Sequence, residues 1–191
     1  MKIGLYFGSF NPIHIGHLAI ANYMVEYSDL DEIWFVVSPQ NPLKKKSSLL
    51  NEFDRFDMVE LALKDDLRIK PSDIEFNLPK PSYTIDTLTY LSEKNSKYNF
   101  NLIVGADSLQ SFHKWKNYEK ILKHYNLYVY PRPNCNINEF KDHENVNIIN
   151  APLMEVSSSF IRKSIKENKD IRYFLPAEVY KYIEKMNFYK I

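Results

Sequence analysis

Residues 2–27 read KIGLYFGSFNPIHIGHLAIANYMVEY. The run KIGLYF (2–7) has the length and apolar content of a buried strand, and the segment from His17 to Tyr27 has those of a helix. Between them lies Gly8-Ser9-Phe10-Asn11-Pro12-Ile13-His14-Ile15-Gly16-His17. A loop that joins a parallel strand to a helix sits at the carboxyl edge of an open sheet, and the helix start presents N–H groups without helical partners. That is a seat for phosphate. The reading of Gly8 and Gly16 is that they let backbone approach a ligand, and of His14 and His17 that they offer hydrogen-bond donors at its mouth. Two rival readings of the pair are helix-capping or half-buried imidazoles, and zinc ligands. The second lacks a nearby third ligand, and His113, His124 and His143 follow no ligand spacing.

Outward from this stretch the same alternation repeats. Strand-like runs occur at EIWFVV (32–37), FNLIVG (100–105) and NLYVY (126–130), with a further short strand expected around Ile74 and Phe76. Helices are expected near 17–27, 51–64, 84–95, 116–124, 158–167 and 177–187. Strands alternating with helices predict an α/β fold: a Rossmann-like, doubly wound, mostly parallel sheet flanked by helices, with a C-terminal helical segment. At 191 residues a single domain spanning 1–191 is expected. The loops 40–48 and 131–145 are the candidates for movement.

With 25 Lys+Arg against 24 Asp+Glu the net charge is +1, so no global field draws the chain to nucleic acid or a membrane. One cysteine, Cys135, cannot make an internal disulfide, and the first residues lack a signal-peptide pattern. No apolar run approaches the roughly 20 residues that span a bilayer. The expectation is a cytoplasmic protein without nucleic-acid or membrane partners; a homo-oligomer remains compatible with the sequence.

GSFNPIHIGH resembles the (H/T)xGH signature of the nucleotidyltransferase superfamily. Further matches are SPQNPLK (38–44), SYTIDTL (82–88), GADS (105–108) with Trp115 beyond it, PRP (131–133), VSSSFIR (156–162) and FLPAEVYKYI (174–183). Taken in order, they resemble the bacterial nicotinate-nucleotide adenylyltransferase branch nearly end to end. The resemblance implies transfer of AMP from ATP to nicotinate mononucleotide, with pyrophosphate leaving and Mg²⁺ held mainly by the ATP phosphates.

It assigns catalysis to His14, His17, Lys44 and Arg162. It gives ATP to Gly8, Ser9, Phe10, Gly16, His17, Gly105, Asp107, Ser157, Ser158, Ser159 and Arg162. Nicotinate mononucleotide falls to Asn11, Lys44, Tyr83, Thr84, Trp115 and Arg132. No metal-ligating set is expected. Several of these have a plainer reading: Thr84 and Asp107 as helix caps, Trp115 as core, 157–162 as a capped helix, and Lys44 as part of a solvated run with Lys45 and Lys46. The chain departs from the family pattern at Leu43, Lys116, Asn134 and Ser159. Alternatives on the same fold are transfer to nicotinamide mononucleotide, to phosphopantetheine, or of CMP to a small alcohol phosphate; a non-catalytic nucleotide sensor is the alternative of another class.

Overall fold

A computed structural model describes residues 1–40, 49–135 and 139–190. Among these residues six strands form one sheet: β1 (Lys2–Gly8), β2 (Glu32–Val37), β3 (Ile69–Ser72), β4 (Asn99–Gly105), β5 (Leu127–Tyr130) and β6 (Val146–Ile148). All pairs are parallel, and the order is β3-β2-β1-β4-β5-β6. The chain winds outward from β1 in one direction and then from β4 in the other. The crevice between those two strands is therefore the switch point at which open α/β sheets bind ligands.

Among the described residues seven α-helices cover the sheet: α1 (Ile15–Tyr27), α2 (Glu52–Leu63), α3 (Thr84–Lys94), α4 (Ala106–Gln110), α5 (Tyr118–His124), α6 (Ser158–Lys166) and α7 (Ala177–Met186). Side-chain alternation divides the core in two. Ile33, Phe35 and Val37 of β2 join residues of α1, α2, α6 and α7 on one face. Ile3 and Leu5 of β1 join residues of α3, α4 and α5 on the other. Both faces of the central strands are buried, which is why β1 and β2 read as continuous apolar runs.

The structure departs from the expected elements in three places. The third strand is Ile69–Ser72, an edge strand that tolerates Pro71 because one side of its ladder is open. Ile74–Asn77 is instead a 3₁₀ turn, and the residue it buries is Glu75 (2% exposed), between the two apolar residues that suggested a strand. The short elements α4 and β6 carry too few residues to show a period in the sequence. The loop 40–48 and the segment 131–145 lie partly outside the described residues, and Lys44 and Leu43 fall there.

Candidate active site

The carboxyl ends of β1 and β4 open into two cavities of about 390 Å³ each, one toward α1 and α6, the other toward α3 and α4. Phe7, Gly8, Ser9, Asp107 and Ser108 border both. They are two halves of one crevice.

The first cavity contains the paired imidazoles. His14 takes the N-cap position of α1 with extended backbone, and His17 lies three residues on. Their rings stack at 3.7 Å between centroids, and the edge of Phe10 meets His17 at 5.1 Å. The backbone N–H of His14 donates to His17 Nδ1 at 3.2 Å. A neutral imidazole that accepts at Nδ1 carries its proton at Nε2, so His17 is a donor there. His14 is 4% exposed, and its Nδ1 has no hydrogen-bond partner among the described residues. Burial, reinforced by the nearby Arg132 guanidinium, pulls its pKa down to about 4. At neutral pH this cavity therefore presents an uncharged His14 imidazole, which lowers the cost of an empty site, beside a His17 ring placed to donate to an anion. Both rings border the cavity, although His14 is far more enclosed than a solvent-facing loop would make it.

The depressed pKa has a consequence for stability. The unfolded chain takes up His14's proton near its ordinary value of about 6.5, whereas the folded chain resists until about 4. The stability contributed is full above the first value and is lost as pH falls through the second, by about 3 kcal/mol in all. His14→Asn removes that titration. Its thermal midpoint is expected to fall less steeply than the wild type's between about pH 6.5 and 4; parallel slopes would contradict the assignment.

The glycines also answer to packing within the protein. A Cβ on Gly8 would lie 2.7 Å from the Phe10 ring, and one on Gly16 would lie 2.6 Å from Val156 and 3.1 Å from His14 Nδ1. They are required by close packing of the loop on itself and on the segment before α6, and only Gly8 borders the two main cavities. Gly105 borders neither; it takes the N-cap position of α4, under Tyr130 and the Asp107 carboxylate. Phe10 sits at φ 43°, an unusual backbone for a bulky side chain, and its ring is buried among Tyr6, His17 and Phe35.

The N-terminus of α6 faces the same cavity. Ser157 caps it by accepting from Phe160 N–H at 3.2 Å. Ser158 Oγ donates to Pro12 O (2.9 Å) and Arg162 Nη1 to Asn11 O (2.7 Å), while Nη2 reaches Ser159 Oγ at 3.3 Å. Arg162 and Ser158 thus hold the first loop as well as facing the cavity. Asp107 lies in the first turn of α4, so it is not a cap, and its half-exposed carboxylate borders both cavities.

Asn11 and Arg132, expected at the mononucleotide, line this cavity. Asn11 is 5% exposed, and its Oδ1 accepts from Leu50 N–H (3.3 Å) and the Tyr189 hydroxyl (2.8 Å). Arg132 follows β5, beyond β4 in the sheet; it donates to Met154 O at 3.1 Å, with Nε 3.7 Å from Asp107 Oδ1.

The second cavity is walled by Trp115, Tyr83 and Thr84, together with Lys114 and Lys116. Tyr83 is the N-cap of α3, so Thr84 is its first residue and not its cap. Trp115 is partly buried against Phe112 at 5.2 Å, so it is both a core contact and a cavity wall. Lys116 stands 4.6 Å over the Tyr83 ring and pairs with Asp86 at 2.8 Å.

One positioning residue was missed in the sequence. Arg55 of α2 is fully buried and donates to Leu50 O (3.0 Å), Ser9 O (2.7 Å), Ser38 O (2.8 Å) and Pro39 O (3.0 Å). It ties the loop after β1 to both ends of the loop after β2. Its signal was present: with Met58, Val59 and Leu63 it completes the buried stripe of α2, so a charge stands in phase with the core.

Comparison with known proteins follows the same line. The chain belongs to the cytidylyltransferase-like family, whose model matches residues 5–164. Its relatives narrow the class to nicotinate-nucleotide adenylyltransferases. The chain is 57% identical over 192 residues to a probable nicotinate-nucleotide adenylyltransferase of Flavobacterium psychrophilum, covering 100% of both chains. It is 56% identical to one so named in Cytophaga hutchinsonii, covering 99% of this chain and 98% of the other. The fold matches that of Plasmodium falciparum nicotinic acid mononucleotide adenylyltransferase complexed with NaAD, with a TM-score of 0.85 at 24% identity over 98% of this chain and 97% of that one.

Proposed function

We propose that the protein transfers the adenylyl group of ATP to nicotinate mononucleotide, releasing pyrophosphate and forming nicotinate adenine dinucleotide for NAD synthesis in the cytoplasm. The observation that carries this reading is the pair of equal cavities meeting at Gly8, Ser9, Asp107 and Ser108: one rich in donors for phosphate, the other aromatic and sized for a pyridine nucleotide. The relatives' names agree with it.

A phosphate monoester has its second pKa near about 6, so the attacking phosphate is already an anion at neutral pH and needs no base. The protein's part is alignment and charge stabilisation. His17 donates through Nε2, the His14 ring stacked on it joins it, and Arg162 with the α6 N-terminus receives the charge that grows on the departing pyrophosphate. Asp107, at the junction, accepts from ribose hydroxyls. Lys44 is assigned to the phosphates from its place in SPQNPLK. The donor set around the cavity is imidazole, guanidinium and hydroxyl with one carboxylate, which suits a divalent ion carried on phosphate and water. Mg²⁺ bound in that way would neutralise part of the triphosphate's charge.

Incubating the protein with ATP and Mg²⁺ and each of nicotinate mononucleotide, nicotinamide mononucleotide and phosphopantetheine tests this. Pyrophosphate is expected with the first and far less with the others; no release with any acceptor would make the protein a nucleotide sensor. Trp115→Ala is expected to raise KM for the mononucleotide about tenfold while leaving that for ATP nearly unchanged, since a stacked aromatic contact is worth about 1 kcal/mol beyond its area. Equal rises would return Trp115 to the core alone.

A further inference from the structure

The floor of the aromatic cavity contains a buried acid that the reaction above does not use. Glu75 is 2% exposed and Ser82 8% exposed, and both line that cavity beneath Tyr83 and Thr84. Glu75 Oε1 accepts from Thr87 Oγ1 of α3 at 2.8 Å. Its Oε2 and the Ser82 hydroxyl make no hydrogen bond of good geometry among the described residues, although the Ser38 and Ser82 hydroxyls lie close enough to the carboxyl to act on it. An ionised carboxylate so enclosed is costly unless a cation or several donors compensate it. What surrounds it are hydroxyls, of Thr87, Ser38 and Ser82, whose effect is smaller than that of burial, so the carboxyl's pKa is raised. The charged and titratable groups of the same cavity are Asp107, Lys114, Lys116 and Tyr83, with Lys116 already paired to Asp86.

We propose that Glu75 is the charge selector of the pyridine pocket: buried behind Ser82 with one carboxyl oxygen unengaged, it admits a ligand bearing a carboxylate while it is protonated, and ionised it would repel that ligand in favour of a neutral amide. This role of Glu75 rests on the functional reading above and deepens it. A ligand carboxylate set over the Glu75 floor is repelled when that floor is charged, so affinity for it is greatest when Glu75 is neutral. A neutral carboxyl also carries a proton with which Oε2 can satisfy the Ser82 oxygen or a ligand oxygen. An amide ligand gains nothing from that neutrality, because it brings no charge to be repelled.

The experiment measures the ratio of kcat/KM for nicotinate mononucleotide to that for nicotinamide mononucleotide across about pH 5 to 9. Titration of the attacking phosphate near about pH 6 is common to both substrates and cancels in the ratio. The wild type is expected to lose discrimination as pH rises, by about tenfold, equivalent to one pKa unit of mutual repulsion. Glu75→Gln, permanently neutral, is expected to show a ratio that does not change with pH, whatever its overall rate. A wild-type ratio that is flat over the whole range, or a Glu75→Gln ratio that falls in parallel with the wild type's, overturns the proposal. Failure of the functional reading is distinct: it is the absence of pyrophosphate release with either mononucleotide.

Discussion

His17→Ala is expected to lower kcat for adenylyl transfer by about 100- to 1,000-fold, the range seen when one preorganised donor to a developing charge is removed. The position of the proton is what makes the effect large. Because the His14 backbone N–H occupies Nδ1, Nε2–H is fixed as a donor before substrate arrives, and no reorganisation is needed during transfer. Alanine at this third helical position is compatible with α1, and His17 is only partly buried, so the folded state is expected to persist. Single-turnover rates together with circular dichroism test both halves of the prediction. Turnover within about threefold of wild type in a folded variant would remove His17 from the chemistry.

Arg55→Met has the second large effect, by a different route. The guanidinium is buried with four backbone carbonyls and, among the described residues, no carboxylate within ion-pair distance. Deleting it leaves those carbonyls without their donor at about 1–3 kcal/mol each, offset in part by no longer desolvating a cation. A net loss of about 3 kcal/mol is expected, a large share of the roughly 5–15 kcal/mol that stabilises a domain. Activity should fall as well, since Ser9, Ser38 and Pro39 would no longer be held in one frame. Arg55→Lys keeps a charge without the planar fork and is expected to be intermediate in stability yet still poor in kcat. A denaturation midpoint and rate for Arg55→Met both near wild type would show that the loops are positioned by other contacts.

How much of this was legible in the sequence depends on what each element must satisfy. β1, β2 and β4 are buried on both faces and had to be apolar, so they could be read directly, and the order of strands and helices followed. The third strand could not: Ile74 and Phe76 suggested alternation, whereas tertiary burial of Glu75 set the local structure as a turn and moved the strand to Ile69–Ser72. The phosphate loop was legible because His14 and His17 stand at a strand-to-helix junction. The roles of its glycines were not, since the atoms they avoid belong to Phe10 and Val156 and are brought close only by folding. Arg132 and Asn11 were assigned by motif to the mononucleotide; that both line the cavity of the imidazole pair is visible only once the chain is folded. Arg55 and Glu75 carry no motif; what marks them is a charged residue where the core requires burial.

The central claim is that the triphosphate of ATP lies over the first turn of α1, between the imidazole pair and the start of α6. A crystal structure with a non-hydrolysable ATP analogue tests it most directly. The account predicts phosphate oxygens within about 3 Å of His17 Nε2 and of an α6 N–H or Arg162. A triphosphate bound elsewhere while both rings stay packed away from it, or a metal ion held by the two imidazoles, would contradict it.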